Sequence, residues 1–316
     1  MKVLVAGGAG FVGSHLCEAF IARGHEVVSL DDLSSGRTAN LVGLAVDPRF
    51  TAIVGNVLEA PDLDVDLVMH LASPASPVDY DRRPLETLAA NSSGTWRLLD
   101  VARRAGARFL YASTSEIYGN PLVHPQPETY WGNVDPVGPR ACYDEAKRFG
   151  EALVTSYRRV HGLNATIVRI FNTYGPRMRS DDGRVMPELI GAALAGRPLV
   201  VHGDGSQTRS FCYVSDLVAA LATAGLDTAA DGEILNIGNP AEVTIRELAE
   251  AIRDRVDPGL PITSSPARPG DPERRRPIID KIRDRYGWEP QVALAEGLDR
   301  TIAAARVEAA ARDTVA

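Results

Sequence analysis

The 316-residue chain has no apolar run near the roughly 20 residues of a membrane-spanning helix, so no span is expected. Cysteine is scarce: Cys17, Cys142 and Cys212 show no metal-knuckle spacing, and any pairing leaves one over. This argues against a disulfide framework or a cysteine-held metal and suits a reducing cytoplasm, where the protein is expected. A strand-like run starting at residue 2 leaves no room for a signal peptide. Positive charge is also short. With 34 Lys and Arg against 41 Asp and Glu, the net charge is −7, which disfavours a general nucleic-acid binder and leaves any anion to local arginines. Internal repeats and low-complexity segments are absent, and no metal site is expected.

What is present begins at once. Lys2 to Ala6 is a short apolar run, followed by Gly7, Gly10 and Gly13 at three-residue intervals, then a helix-like pattern from Phe11 to Arg23. Glycines there permit a tight turn and bring backbone N–H groups, including those near Phe11 and Val12, against a pyrophosphate at the positive end of a helix. The glycine spacing alone is weak evidence, but a second apolar run from Glu26 to Leu30 ends in Asp31 and Asp32, eighteen residues past Gly13. An acid at that strand end can hold the ribose hydroxyls of NAD, whereas the extra phosphate of NADP would face it at a cost of about 1–4 kcal/mol at 4 Å. NAD is therefore expected, although Arg37 nearby softens the exclusion.

Tyr143 and Lys147 are four residues apart, so a helix from Ala141 to about Arg159 places them on one face. A free phenol has a pKa of about 10. Lys147 and the positive nicotinamide ring are expected to lower it, favouring the phenolate that takes a proton from a substrate hydroxyl, with Thr114 bridging substrate and phenol.

Strand-like runs at residues 51–54, 66–70, 108–112 and 164–171 read as buried parallel strands, with one helix from about Pro84 to Arg104 between the second and third. The fold class expected is α/β: a Rossmann-type doubly wound parallel sheet with a smaller interleaved C-terminal substrate lobe. Residues 1–172 form the NAD-binding part, to which 214–238 return, and 173–213 with 239–316 form the lobe. An Ala-rich helix from about Leu294 to Arg312 closes the chain. The ligand cleft is expected at the strand ends.

Longer runs carry a resemblance. The segments Gly10 to Gly13, Thr114 to Gly119 and Tyr143 to Lys147 resemble the extended short-chain dehydrogenase/reductase family. Within it, residues 70–77, 124–133, 138–145, 171–178 and 203–211 are similar to the UDP-glucuronic acid decarboxylase (UDP-xylose synthase) group, and the similarity covers nearly the whole chain. It implies that Tyr143, Lys147 and Thr114 oxidise the sugar at C4, that Glu116 and Arg275 serve the loss of carbon dioxide, and that Ser115, Asn172, Arg184, Arg209 and Arg275 meet the UDP-sugar. It also implies a homodimer. Ser115 stands where the 4,6-dehydratases carry an acid, and Glu116 where the hexose 4-epimerases carry a small or neutral residue. Asn56 replaces a common Asp at the adenine, where its amide oxygen can still accept. A UDP-glucuronic acid 4-epimerase is the nearest alternative reading, ahead of a 4,6-dehydratase and of a noncatalytic NAD-binding regulator.

Overall fold

The computed structural model describes residues 1–267 and 274–313. Its first half alternates strand and helix: β1 (Lys2–Ala6), α1 (Phe11–Ala22), β2 (Glu26–Asp31), β3 (Phe50–Val54), β4 (Leu67–His70), α2 (Pro77–Arg82), α3 (Pro84–Asn91), α4 (Ser93–Ala105), β5 (Arg108–Thr114), α5 (Ala141–His161) and β6 (Ala165–Ile170). The second half has shorter elements: β7 (Thr173–Tyr174), α6 (Val185–Leu194), β8 (Leu199–His202), β9 (Thr208–Ser210), β10 (Cys212–Tyr213), α7 (Val214–Leu226), β11 (Ile234–Ile237), β12 (Glu242–Thr244), α8 (Ile245–Val256), β13 (Ile262–Ser265), β14 (Arg274–Arg275), α9 (Asp280–Tyr286) and α10 (Leu294–Asp313).

Seven of these strands form one sheet in the order β11-β6-β5-β4-β1-β2-β3, every neighbouring pair parallel. β1 shows why both faces must be covered. Its successive side chains point to opposite faces: Val3 and Val5 join a core with Leu16 and Phe20 of α1 and Leu217 and Leu221 of α7, while Leu4 and Ala6 join another with Leu98 and Leu99 of α4 and Val154 of α5. The strand order reverses between β1 and β4, which opens a crevice at their carboxyl ends. Outside the sheet, β14 and β12 flank β9, and β13 pairs with β8. No helix among the described residues is long and apolar enough to cross a membrane.

Two expectations need correction. The run at residues 51–54 is a strand, but β3 is the sheet edge, and Thr51, Ala52 and Val54 are exposed. The single helix expected from Pro84 to Arg104 is two helices, broken at Ser92, whose backbone lies at φ −106°, ψ −83°. Side-chain bonding competes with the helical path there. Asn91 Nδ2 donates to Ser73 Oγ at 2.8 Å and to Thr87 O at 2.9 Å, and Ser92 Oγ donates to Leu88 O at 2.6 Å.

A buried ion pair fixes α5, the helix that carries Tyr143 and Lys147, to the sheet. Arg169 of β6 donates from Nε and Nη2 to the two carboxylate oxygens of Glu151 at 2.9 and 2.8 Å, and Ser113 of β5 also donates to Glu151. Removing one partner alone strands a charge in the interior, typically at about 3–5 kcal/mol. Arg169→Met is expected to lose stability on that scale in urea unfolding, and the double variant Arg169→Met, Glu151→Leu to lose clearly less. Equal losses would assign the effect to packing instead.

Candidate active site

The crevice holds a cavity of about 550 Å³ that runs from the glycine turn to β14. At one end, Gly7, Gly10, Phe11, Val12 and Gly13 line it, Gly10 being the residue that opens α1. The turn admits no side chain at Gly13, where a Cβ would lie 2.0 Å from Gly7 O, and Gly7 itself has φ +84°. This bare backbone at a helix N-terminus fits a dinucleotide pyrophosphate.

Asp31, Asp32 and Asn56 stand together at the ends of β2 and β3 but are not among the residues lining the cavity. Asp31 is buried and accepts from Ala9 N and Leu33 N, both at 2.9 Å, so it ties the glycine turn to the end of β2. Burial raises its carboxyl above the usual range, against those hydrogen bonds. Asp32 accepts from Asn56 Nδ2 at 3.1 Å, and Asn56 Oδ1 accepts from Leu58 N at 3.0 Å.

The centre is built from the end of β5 and the first turns of α5. Thr114, Ser115, Glu116, Tyr143 and Lys147 all line the cavity. Thr114 Oγ1 accepts from Glu116 N at 3.2 Å, bending the chain into the short turn that presents Glu116. The side chain of Thr114 also lies near the phenol of Tyr143, whose ring stacks on Tyr80 at 5.3 Å between centroids, 12° apart. The charge balance differs from expectation. Burial pushes the Tyr143 phenol up to about 12, against the nearby Thr114 side chain, and Glu116 adds to the rise. Lys147 does not offset this: its Nζ lies 6.0 Å from the Tyr143 ring centroid and donates to Ala112 O at 2.8 Å. Burial brings the Lys147 ammonium itself down to about 7, with Glu151 opposing.

At the far end, Glu116 lies between two guanidinium groups, paired with Arg275 through one carboxylate oxygen and with Arg140 through the other. Burial opposes its charge, but the arginines win and hold the carboxyl well below its ordinary range. β14 runs beside β9 with Arg275 in register with Arg209, and both line the cavity with Asn172 and Arg184. Arg184 Nη2 donates to Asp182 at 2.7 Å, so its charge is already partly matched. Arg275 Nε is buried and has no hydrogen-bond partner among the described residues. The run expected around Arg275 begins with Asp271 to Glu273, which lie outside the described residues.

Arg140 and Tyr80 escaped the sequence reading as site residues. Arg140 meets a partner 24 positions away and Tyr80 stacks on a ring 63 positions on, so no local spacing marks them. A parallel doubly wound sheet, a glycine turn for a dinucleotide and a Thr, Tyr and Lys set at one cavity define an NAD-dependent enzyme of sugar hydroxyls. The chain belongs to the NAD dependent epimerase/dehydratase family, whose model matches residues 3–238.

It is 49% identical over 302 residues to UDP-glucuronic acid decarboxylase 1 of Arabidopsis thaliana, covering 96% of this chain and 69% of that protein. It is 48% identical over 301 residues to UDP-glucuronic acid decarboxylase 1 of Danio rerio, covering 95% and 72%. Among solved structures, UDP-glucuronic acid 4-epimerase of Bacillus cereus in complex with UDP-glucuronic acid and NAD superposes with a TM-score of 0.89 at 28% identity, covering 98% of this chain and 100% of that one.

The Lys147 shift has a stability consequence whose direction is fixed. Its folded value lies below that of the unfolded chain, near 10.4, so between about pH 7 and 10 the unfolded state holds more protons and stability rises with pH. Lys147→Met removes that dependence. The variant is expected to melt higher than the parent at pH 6, with the gap closing toward pH 9, while losing turnover. A gap that is constant with pH would mean the buried ammonium carries no such cost.

Proposed function

We propose that this chain converts UDP-glucuronic acid to UDP-xylose and carbon dioxide through a 4-keto intermediate. The observation that carries the reading is Glu116 locked as an anion between Arg275 and Arg140, next to Thr114 and across the cavity wall from Tyr143.

NAD, when bound, accepts the C4 hydride and returns it, so the sugar undergoes no net oxidation. Tyr143 takes the proton of the C4 hydroxyl, and the nearby Thr114 hydroxyl aligns the two. With C4 a ketone, the sugar carboxylate sits β to a carbonyl, and the C5–C6 electron pair moves into an enolate as carbon dioxide leaves. C5 then takes a proton. Glu116 is held ionised, so it acts as an acceptor that orients the water or the ring rather than as the acid. Arg275, which lines the cavity, suits the substrate's carboxylate region, and Arg209, Arg184, Asn172 and Ser115 suit the diphosphate and sugar. Asp31, Asp32 and Asn56 serve the adenosine half of NAD.

The pure protein should release carbon dioxide from UDP-glucuronic acid and yield a pentose product. Tyr143→Phe should lower turnover by about 10²–10⁴ with binding nearly intact. Glu116→Gln should lower it by about 10²–10³ with UDP-sugar affinity little changed, because the contact acts in the transition state. Interconversion of UDP-glucuronic and UDP-galacturonic acids without loss of mass would make the chain a 4-epimerase instead.

Assembly as a homodimer is part of the same reading. Leu85 of α3, Trp96 of α4, and Phe149 and Val160 of α5 are large apolar side chains left exposed on the helices of one face. A self-complementary helical interface would cover them. Light scattering at micromolar concentration should give twice the chain mass, and a monomer mass there would refute it. The free thiols of Cys17, Cys142 and Cys212 support a cytoplasmic location.

A further inference from the structure

Asp144 follows Tyr143 in the first turn of α5 and is 6% exposed, and its Oδ1 is buried with no hydrogen-bond partner among the described residues. Arg140 lies four residues earlier: its carbonyl accepts from Asp144 N at 3.0 Å, so the two residues share a helix face. Yet the Arg140 guanidinium crosses to Glu116. An ionised carboxylate at Asp144 would leave a buried charged oxygen unmatched, whereas a neutral acid leaves only a carbonyl lone pair unmet. Glu116 from the turn after β5 and Glu145 from its own helix oppose a negative charge on Asp144, while Tyr80 of α2 and Cys142 and Tyr143 of α5, whose own ionisation Asp144 disfavours, stay neutral beside it. Arg140 and Arg275 favour the charge, but burial, reinforced by Glu116, raises the Asp144 carboxyl well above its ordinary range.

We propose that Asp144 is a positioning residue that works as an uncharged acid: in that form it leaves Arg140 to Glu116, and on ionisation it draws Arg140 back along α5 and opens the two-arginine clamp. Asp144 does not line the cavity, so its effect passes through Arg140 and Glu116 rather than through contact with substrate. The inference rests on the decarboxylase reading for its effect on turnover, and on Asp144 alone for its effect on stability.

Profiles of kcat/KM for carbon dioxide release between about pH 6 and pH 9 test the first part. The parent should show an alkaline limb falling about tenfold per pH unit, as a single ionisation gives. Asp144→Asn should shift that limb, retaining only the loss that deprotonation of Lys147 gives, and Asp144→Glu should keep the Asp144 component at a displaced pH. Superimposable profiles for parent and Asp144→Asn would overturn the proposal. Melting curves over about pH 5 to pH 9 test it without substrate. The folded parent holds the Asp144 proton that the unfolded chain loses near pH 4, so parent stability falls relative to Asp144→Asn as pH rises. A stability gap that does not change with pH overturns the proposal whatever reaction is catalysed, whereas failure of the parent to release carbon dioxide overturns only the decarboxylase reading. Should Asp144→Asn fail to fold, Asp144→Glu carries both measurements, and a limb and melting dependence identical to the parent's would be the contrary result.

Discussion

A carboxylate taken out of water and held between two guanidinium groups is the constraint on which the site depends. Glu116 keeps its charge because Arg275 and Arg140 bind it against burial, which favours the protonated acid. The three side chains come from three remote parts of the chain: the end of β5, the residue before α5, and β14. Any shift of α5 against the sheet, or of β14 against β9, would leave one charge without its match. The cluster therefore demands a rigid frame, and the Glu151 to Arg169 pair and the parallel pairing of β14 with β9 supply parts of it.

The same frame separates two kinds of work. The glycine turn at the end of β1, tied by Ala9 N to Asp31 at the end of β2, lines one end of the crevice, where backbone amides and a helix dipole suit a dinucleotide. The arginines of β9, β14 and the start of α6 gather at the other end, where an anionic sugar nucleotide fits. Thr114 and Tyr143 lie between them. Burial leaves the phenol protonated until further positive charge arrives, which links the chemistry to a filled site.

Sequence spacing revealed the fold's repeating parts because they are local. The glycine turn follows from a three-residue spacing, the strands from short apolar runs, and the Tyr143 to Lys147 face from the 3.6-residue period of a helix. The edge position of β3 and the break at Ser92 were not legible, because they depend on which strand lies outermost and on Asn91 reaching Ser73. In the site, residues carried by long matching runs, such as Glu116, Arg209 and Arg275, could be named. Arg140 and Asp144 lay inside one of those runs without a role, because their partners approach only through the tertiary fold. The burial that raises the Tyr143 phenol in the absence of NAD was also not legible, since sequence gives the four-residue spacing to Lys147 but not the surroundings of the ring.

The most direct test of the account is the fate of solvent hydrogen when the protein turns over UDP-glucuronic acid in deuterated water. The account predicts a UDP-pentose carrying one deuterium at C5 and none at C4, because C5 gains its hydrogen from solvent after carbon dioxide leaves while the C4 hydride is returned unexchanged. A product that keeps its carboxylate and gains no deuterium at C5 would contradict it.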